Sequence, residues 1–162
     1  MFKFLKKSNP TQIIKAPISG KCISIEDVSD EVFSTKMLGD GIAIEATGDT
    51  VYAPADGVIS TIVITKHAFG IKLDNGLEML VHIGLDTVNL KGEGFTVLVK
   101  VDDKVKQGTP IIKLDVAFIQ SKGRTLVTPV IVLESDLYEI NKCAIGEEVV
   151  GGQSTVMEYK LI

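Results

Sequence analysis

The chain of 162 residues contains only two histidines, His67 in "ITKHAFGI" and His82 in "GLEMLVHIGLDTV", and both lie in its middle third. Imidazole is the side chain whose ordinary pKa lies nearest neutrality. When one ring nitrogen is held by a hydrogen bond, the tautomer is fixed and the other nitrogen can act as nucleophile, base or ligand. Within "LEMLVHIG" a strand period places Met79, Val81 and Ile83 on one face and Glu78, Leu80 and His82 on the other. His82 therefore faces away from the core. Gly84, two residues on, gives the backbone room to bend and to bring a carbonyl to the ring.

Three chemistries are open to such a pair. Convergent His, His and Asp could hold zinc, but zinc motifs have tight local spacings such as HxxxH or HxH, and neither occurs. A Ser-His-Asp hydrolase needs a nucleophile elbow such as GxSxG, and no serine has that setting. The remaining chemistry makes histidine itself the nucleophile, accepting a phosphoryl group on nitrogen. Asp86, four residues after His82, and Asp30 in "VSDEVF" could supply negative charge nearby.

The elements that must position these residues read as strands. Short β-type segments separated by glycine-containing turns recur throughout: "KCISIEDV", "GIAIEA", "GVISTIVIT", "GIKLDNGLEMLVHI", "FTVLVKV", "PIIKLDV", "TPVIVL" and "TVMEYKLI". Asp74-Asn75-Gly76 marks a hairpin between "GIKL" and "LEMLVHI", with Asn-Gly suited to a tight two-residue turn, and the strand holding His67 precedes it, so the two histidines could converge on neighbouring strands. Only two stretches look helical: one turn over 85–90, and a short helix through "VAFIQSK" capped by Asp115 and stopped by Gly123. Two internal echoes add an architecture. "APISGKCISI" (16–25) matches "APADGVISTI" (53–62) at Ala, Pro, Gly and the final Ile, and "VKQGTPII" (105–112) weakly matches "VVGGQSTV" (149–156). The fold expected is all-β: an antiparallel β-sandwich of two similar units, each covering the open face of the other, with only short helical turns.

Composition bounds the function. A hydrophobic fraction of 45% and a charged fraction of 23% are globular values, and residues 13–162 are expected to form one domain behind a flexible tail of residues 1–12. The net charge of −4 offers no Lys/Arg stripe for nucleic acid. No apolar run approaches the ~20 residues of a membrane span, and the N-terminus lacks a long signal-peptide core, which together suggest a cytoplasmic protein. The basic and apolar "MFKFLKK" (1–7) offers at most weak contact with a membrane surface. Cys22 and Cys143, far apart and without CxxC spacing, are expected to be free thiols.

The segment 76–88, with Gly76, Met79-Leu80-Val81, His82, Gly84, Thr87 and Val88, resembles the active-site signature of the glucose-type enzyme IIA of the bacterial phosphoenolpyruvate-dependent sugar phosphotransferase system. "EDVSDEVFSTKMLGDGIAIEATGD", "APADGVI", "TKHAFGI", "LKGEGF" and "TPVIV" look like further blocks of that family, in its order, from about residue 13 to the end. The resemblance implies an all-β sandwich (a duplicated hybrid motif) and a phosphohistidine relay without cofactor or metal. His82 would take a phosphoryl group from the phosphocarrier protein HPr and pass it to a cysteine on the IIB domain of a sugar permease. His67 and Thr65 would support the phosphoryl group, the Gly84 carbonyl would hold the His82 ring, and Asp30 and Asp86 would meet arginines on the partners. Val32, Phe33, Leu38, Phe69 and Leu80 would exclude water and form a docking patch, about three of them exposed at the surface. The absence of a IIB-like cysteine and of a membrane region suggests a free-standing IIA. Regulatory targets that sense the phosphorylation state are compatible with this reading, and a zinc hydrolase on a related sandwich is the competing one.

Overall fold

The computed structural model describes residues 9–162; most of the tail expected over residues 1–12, including the membrane-contacting stretch expected over residues 1–7, lies outside them. Fourteen strands occur among the described residues: β1 (Gln12–Lys15), β2 (Gly20–Ser24), β3 (Gly41–Ala46), β4 (Thr50–Tyr52), β5 (Gly57–Ile62), β6 (Ala68–Leu73), β7 (Glu78–His82), β8 (Phe95–Val97), β9 (Lys104–Val105), β10 (Pro110–Leu114), β11 (Val127–Val132), β12 (Tyr138–Lys142), β13 (Glu148–Val149) and β14 (Thr155–Leu161). All pair antiparallel. One sheet runs β13-β2-β3-β11-β7-β6-β5-β9, and two three-stranded sheets run β1-β14-β12 and β4-β10-β8. Residues from all three sheets share one core, with Ile14, Met157 and Tyr159 from the first small sheet and Val51, Ile112 and Phe95 from the second. Alternation assigns the faces of the large sheet: Ile42, Ile44, Phe69, Ile71, Met79, Val81, Val130 and Val132 point into this core. Ala43, Leu80 and Ile131 point the other way, toward a second cluster with Ile25, Val28, Phe33 and Leu85. This is the antiparallel β-sandwich expected from the strand pattern.

The two echoes prove to be one internal symmetry. Gly20 and Gly57 open β2 and β5, and a Cβ on either would meet the neighbouring strand's backbone oxygen, at 2.2 Å from Glu45 O and 2.4 Å from Lys72 O. Gly20 pairs with Val149 and Gly57 with Val105, so the members of the second echo are the partners of the first. The Ala16 N–H donates to Ser154 O and Ala53 N–H to Thr109 O, at 2.8 and 2.9 Å. Strands β4 to β10 thus form one unit. They are inserted, in sequence, into a second unit made of β1 to β3 and β11 to β14. The same correspondence sets Asp40 opposite His67: Val132 N–H donates to Asp40 O (2.8 Å) as Ile83 N–H donates to His67 O (2.7 Å).

The local departures have identifiable causes. The hairpin between β6 and β7 closes through Leu73 N–H to Leu77 O (2.8 Å), leaving the three residues 74–76 in the loop, and of these only Gly76 has a positive φ, +98°. It is a three-residue loop ending in a left-handed glycine, not the two-residue turn expected from Asn-Gly. "FTVLVKV" yields a strand only to Val97. Beyond it Asp103 Oδ2 accepts the Lys100 N–H (2.9 Å) and Asp102, at φ +75°, turns the chain. Of the two helical expectations, the first appears as a 3-10 turn, Thr87–Leu90, and the second as a helix, Val116–Ser121, with Asp115 Oδ1 accepting the Phe118 N–H. Unforeseen were a 3-10 turn, Ile25–Asp27, and the helix α1 (Glu31–Ser34), which together form an excursion between β2 and β3. Gln12, expected in the tail, already pairs with Tyr159.

Candidate active site

His82 ends β7 on the outer face of the large sheet, as the alternation requires. Its Nδ1 lies 2.8 Å from the Gly84 carbonyl oxygen. A carbonyl only accepts, so Nδ1 carries the proton and Nε2 keeps its lone pair. The bend that brings this carbonyl back needs a glycine. Gly84 has φ +77°, and a Cβ there would lie 2.5 Å from Thr87 Cγ2 and 2.6 Å from Thr125 O. The fully buried Thr87 locks the turn by donating its hydroxyl to Ile83 O (2.6 Å).

His67 enters from the turn between β5 and β6, and Ala68 is the register partner of His82. The two imidazoles stand edge to face, with centroids 4.8 Å apart and planes at 81°. Thr65 Oγ1 holds His67 Nδ1 at 2.8 Å, which leaves Nε2 as the unoccupied nitrogen of this ring too. Burial pushes the His82 pKa below its ordinary value and the neighbouring His67 pushes it further, against the opposing pull of the Gly84 carbonyl, Asp30 and Asp86. Burial likewise lowers His67, with Thr65 opposing. Both rings are therefore neutral at pH 7, the state in which nitrogen is nucleophilic.

Two imidazoles with their Nδ1 atoms engaged and their Nε2 atoms free are suited to nitrogen-centred group transfer. Comparison with known proteins identifies the family. Residues 12–138 match the family model described as phosphoenolpyruvate-dependent sugar phosphotransferase system, EIIA 1. The chain belongs to this family. It is 44% identical over 149 residues to the PTS system glucose-specific EIIA component of Haemophilus influenzae, covering 91% of this chain and 88% of that one. It is 42% identical over 145 residues to the component of the same name from Staphylococcus epidermidis, covering 90% and 87%. The solved glucose permease IIA from Mycoplasma capricolum superposes with a TM-score of 0.85 at 36% identity, over 98% of this chain and 99% of that one.

In this EIIA chain the apolar surround differs from the one expected. Phe69 is fully buried and points into the main core, because it lies on the inner face of β6; it is not part of a docking patch. Phe33 is also buried, at 4% exposure, but its ring lies against His82 with centroids 4.9 Å apart, so it dries one side of the imidazole. Leu80 is half-buried beneath it. Only Val32 and Leu38 are exposed. Three exposed apolar residues on the site-bearing segments were missed: Met37 (73%), Ile64 (94%) and Val88 (49%). Ile64 had a legible signal, an isoleucine in the turn segment that leads to Thr65 and His67. Asp86 is exposed at φ +56° with no cap bond, whereas Asp30 Oδ1 accepts the Val32 N–H (2.9 Å) as N-cap of α1. A surface cleft of about 430 Å³, lined by residues such as Asp56, Asn75, Gln107 and Tyr159, includes neither histidine. His67 is buried, at 7% exposure, and His82 is half-buried. Cys22 (buried) and Cys143 (exposed) are both unpaired, and burial lifts the Cys22 thiol to about 11.

Proposed function

We propose that this chain is a phosphocarrier in which His82 Nε2 attacks the phosphorus of phosphohistidine on HPr. The new Nε2–P bond forms as the donor's N–P bond breaks, the electron pair returning to the HPr imidazole. Positive charge developing on His82 is shared through Nδ1–H with the Gly84 carbonyl. His67, steadied by Thr65, donates from Nε2–H to a phosphoryl oxygen, with Thr65 O–H then donating to Nδ1. Onward transfer goes to a cysteine thiolate of a IIB domain of a glucose or related sugar permease. Phosphoryl transfer asks a protein mainly for positioning and charge stabilisation, which these groups supply. Asp30 and Asp86 meet partner cations, and Val32, Leu38, Met37, Ile64 and Val88 form the apolar ground around them. Residues 12–162 act as one cytoplasmic unit. The exposed apolar ground also favours regulatory docking that phosphorylation abolishes, since a phosphoryl group adds close to two negative charges to it.

The observation that carries this reading is the Nδ1–H to Gly84 carbonyl bond at 2.8 Å beside a second imidazole. Incubation with phosphoenolpyruvate, enzyme I and HPr should give an acid-labile, base-stable adduct on Nε2 of His82, identified by peptide mapping and nitrogen chemical shifts. His82→Gln should give none. His67→Gln should still be phosphorylated but transfer onward ~100–1,000-fold more slowly, the usual effect of losing one transition-state donor. An adduct on His67 in the His82→Gln protein would reverse the two roles.

A further inference from the structure

By the internal symmetry Asp40 occupies the position of His67 in the other unit, but its surroundings are those of an ion cluster. Asp40 Oδ1 accepts from Lys142 Nζ at 2.6 Å and from the Gly41 N–H at 2.8 Å, and Lys36 Nζ stands 3.6 Å away while also reaching Glu26 Oε1 at 3.1 Å. The Asp40 N–H donates to Ser135 Oγ at 2.9 Å. Burial works to raise the Asp40 carboxyl, but Lys142, the Gly41 N–H and Lys36 together outweigh it and bring it below the ordinary carboxylate value. Lys142 belongs to β12, over a hundred residues away in a small sheet, whereas Lys36 and Glu26 belong to the excursion between β2 and β3. The cluster therefore ties both ends of that excursion to β12, a distant strand of the same unit. Side-chain exposures of 28% (Asp40) and 20% (Lys142) make the Asp40–Lys142 pair better shielded than the Lys160–Glu139 pair, at 41% and 66%, whereas the Lys36–Glu26 pair, at 38% and 65%, is as exposed. The excursion carries Phe33, whose ring covers His82, and the exposed Val32, Met37 and Leu38.

We propose that Asp40 is a positioning residue for partner docking: with Lys142 and Lys36 it clamps the excursion 25–40 so that Phe33 stays on His82 and the apolar rim is presented in one shape. The two units of the duplicated fold then divide the work, one supplying His67 to the phosphoryl group and the other supplying, at the matching place, an anchor for the docking surface. Loss of the clamp costs the partner an ordering step, which raises KM without altering the chemistry of the bound complex.

This inference rests on the phosphocarrier reading, and the test separates the two. Initial rates of phosphorylation by phospho-HPr are measured for the wild type, Asp40→Asn, Lys142→Met, Lys36→Met, Lys142→Arg and, as a control pair, Lys160→Met. Absence of phosphorylation in the wild type overturns the phosphocarrier reading, and this inference with it. With the wild type active, Asp40→Asn and Lys142→Met should each raise KM about three- to tenfold at near-constant kcat, as loosening one shielded ion pair would. Lys36→Met should do so more weakly, and Lys142→Arg and Lys160→Met should match the wild type. The His82 titration followed by NMR should move up toward its ordinary value as Phe33 loosens. Unchanged KM and unchanged His82 titration in folded Lys142→Met and Lys36→Met would overturn the clamp, whatever the fate of Asp40→Asn. Losses confined to kcat in proportion to the folded fraction would do the same.

Discussion

A backbone carbonyl, not a carboxylate, orients the His82 ring, so its geometry depends on the conformation of a single residue. Gly84 is held at φ +77°, and any Cβ there strikes Thr87 and the Thr125 carbonyl. Gly84→Ala should therefore cost about 2 kcal/mol of stability or more through backbone strain alone. It should also slow phosphorylation of the protein that remains folded, because the displaced carbonyl no longer fixes the tautomer. Urea denaturation and single-turnover phosphorylation measure the two effects separately, and unchanged values in both would contradict this account. The outward face of His82 and the glycine bend were legible because a period of two, followed by Gly, speaks directly about side-chain direction. The fate of Phe69 was not. Its membership of a recognisable block says nothing about which face of β6 it takes, and alternation from Ile71 would have placed it inside.

Helix α1 shows why an element can escape the sequence while its key residue does not. Four residues, Glu31–Ser34, are too few to display a 3.6-residue period, so Asp30 was read as a rim charge and its second role as N-cap went unseen. The two roles can be separated by substitution. Asp30→Asn keeps a cap acceptor and removes only the charge, so it should slow association with HPr at low salt and lose the effect as salt rises, with stability almost unchanged. Asp30→Ala should show the same rate effect and in addition lower stability by about 1 kcal/mol, the usual cost of a lost cap. Asp86 makes no cap bond, and Asp86→Asn should behave as a pure charge change. Stopped-flow association at two ionic strengths, with denaturation of each variant, checks the set. Equal stability for Asp30→Asn and Asp30→Ala would mean that the cap contributes nothing.

At the scale of the whole molecule, the echoes revealed the duplication because glycines at close backbone approaches are hard to replace, but they could not show that one unit is inserted into the other. That arrangement follows from strand pairing over more than a hundred residues, such as β2 with β13, which no local pattern encodes. One property sums groups from both units and all layers, the dependence of stability on pH. His67 and His82 have folded pKa values below their unfolded ones, so the unfolded chain binds more protons between the two values. Their contribution is complete above the ordinary histidine value, near 6.5, and is lost as pH falls through the lower folded values. Asp40, also lowered, adds a second loss deeper in acid, in the carboxylate range. Cys22 acts in the opposite direction. Its thiol is raised to about 11, so its contribution is complete below the ordinary thiol value and is lost as pH climbs from there toward 11, with Tyr159, also raised by burial, adding in the same alkaline range. Stability measured by urea midpoint should therefore be greatest between roughly pH 7 and 8. Replacing both histidines by Gln should remove the first, mildly acidic step and leave the deeper one, and Cys22→Ala should flatten the alkaline limb. An acid limb unchanged in the double histidine variant would show that the buried imidazoles are not the groups whose protonation begins to unfold the protein.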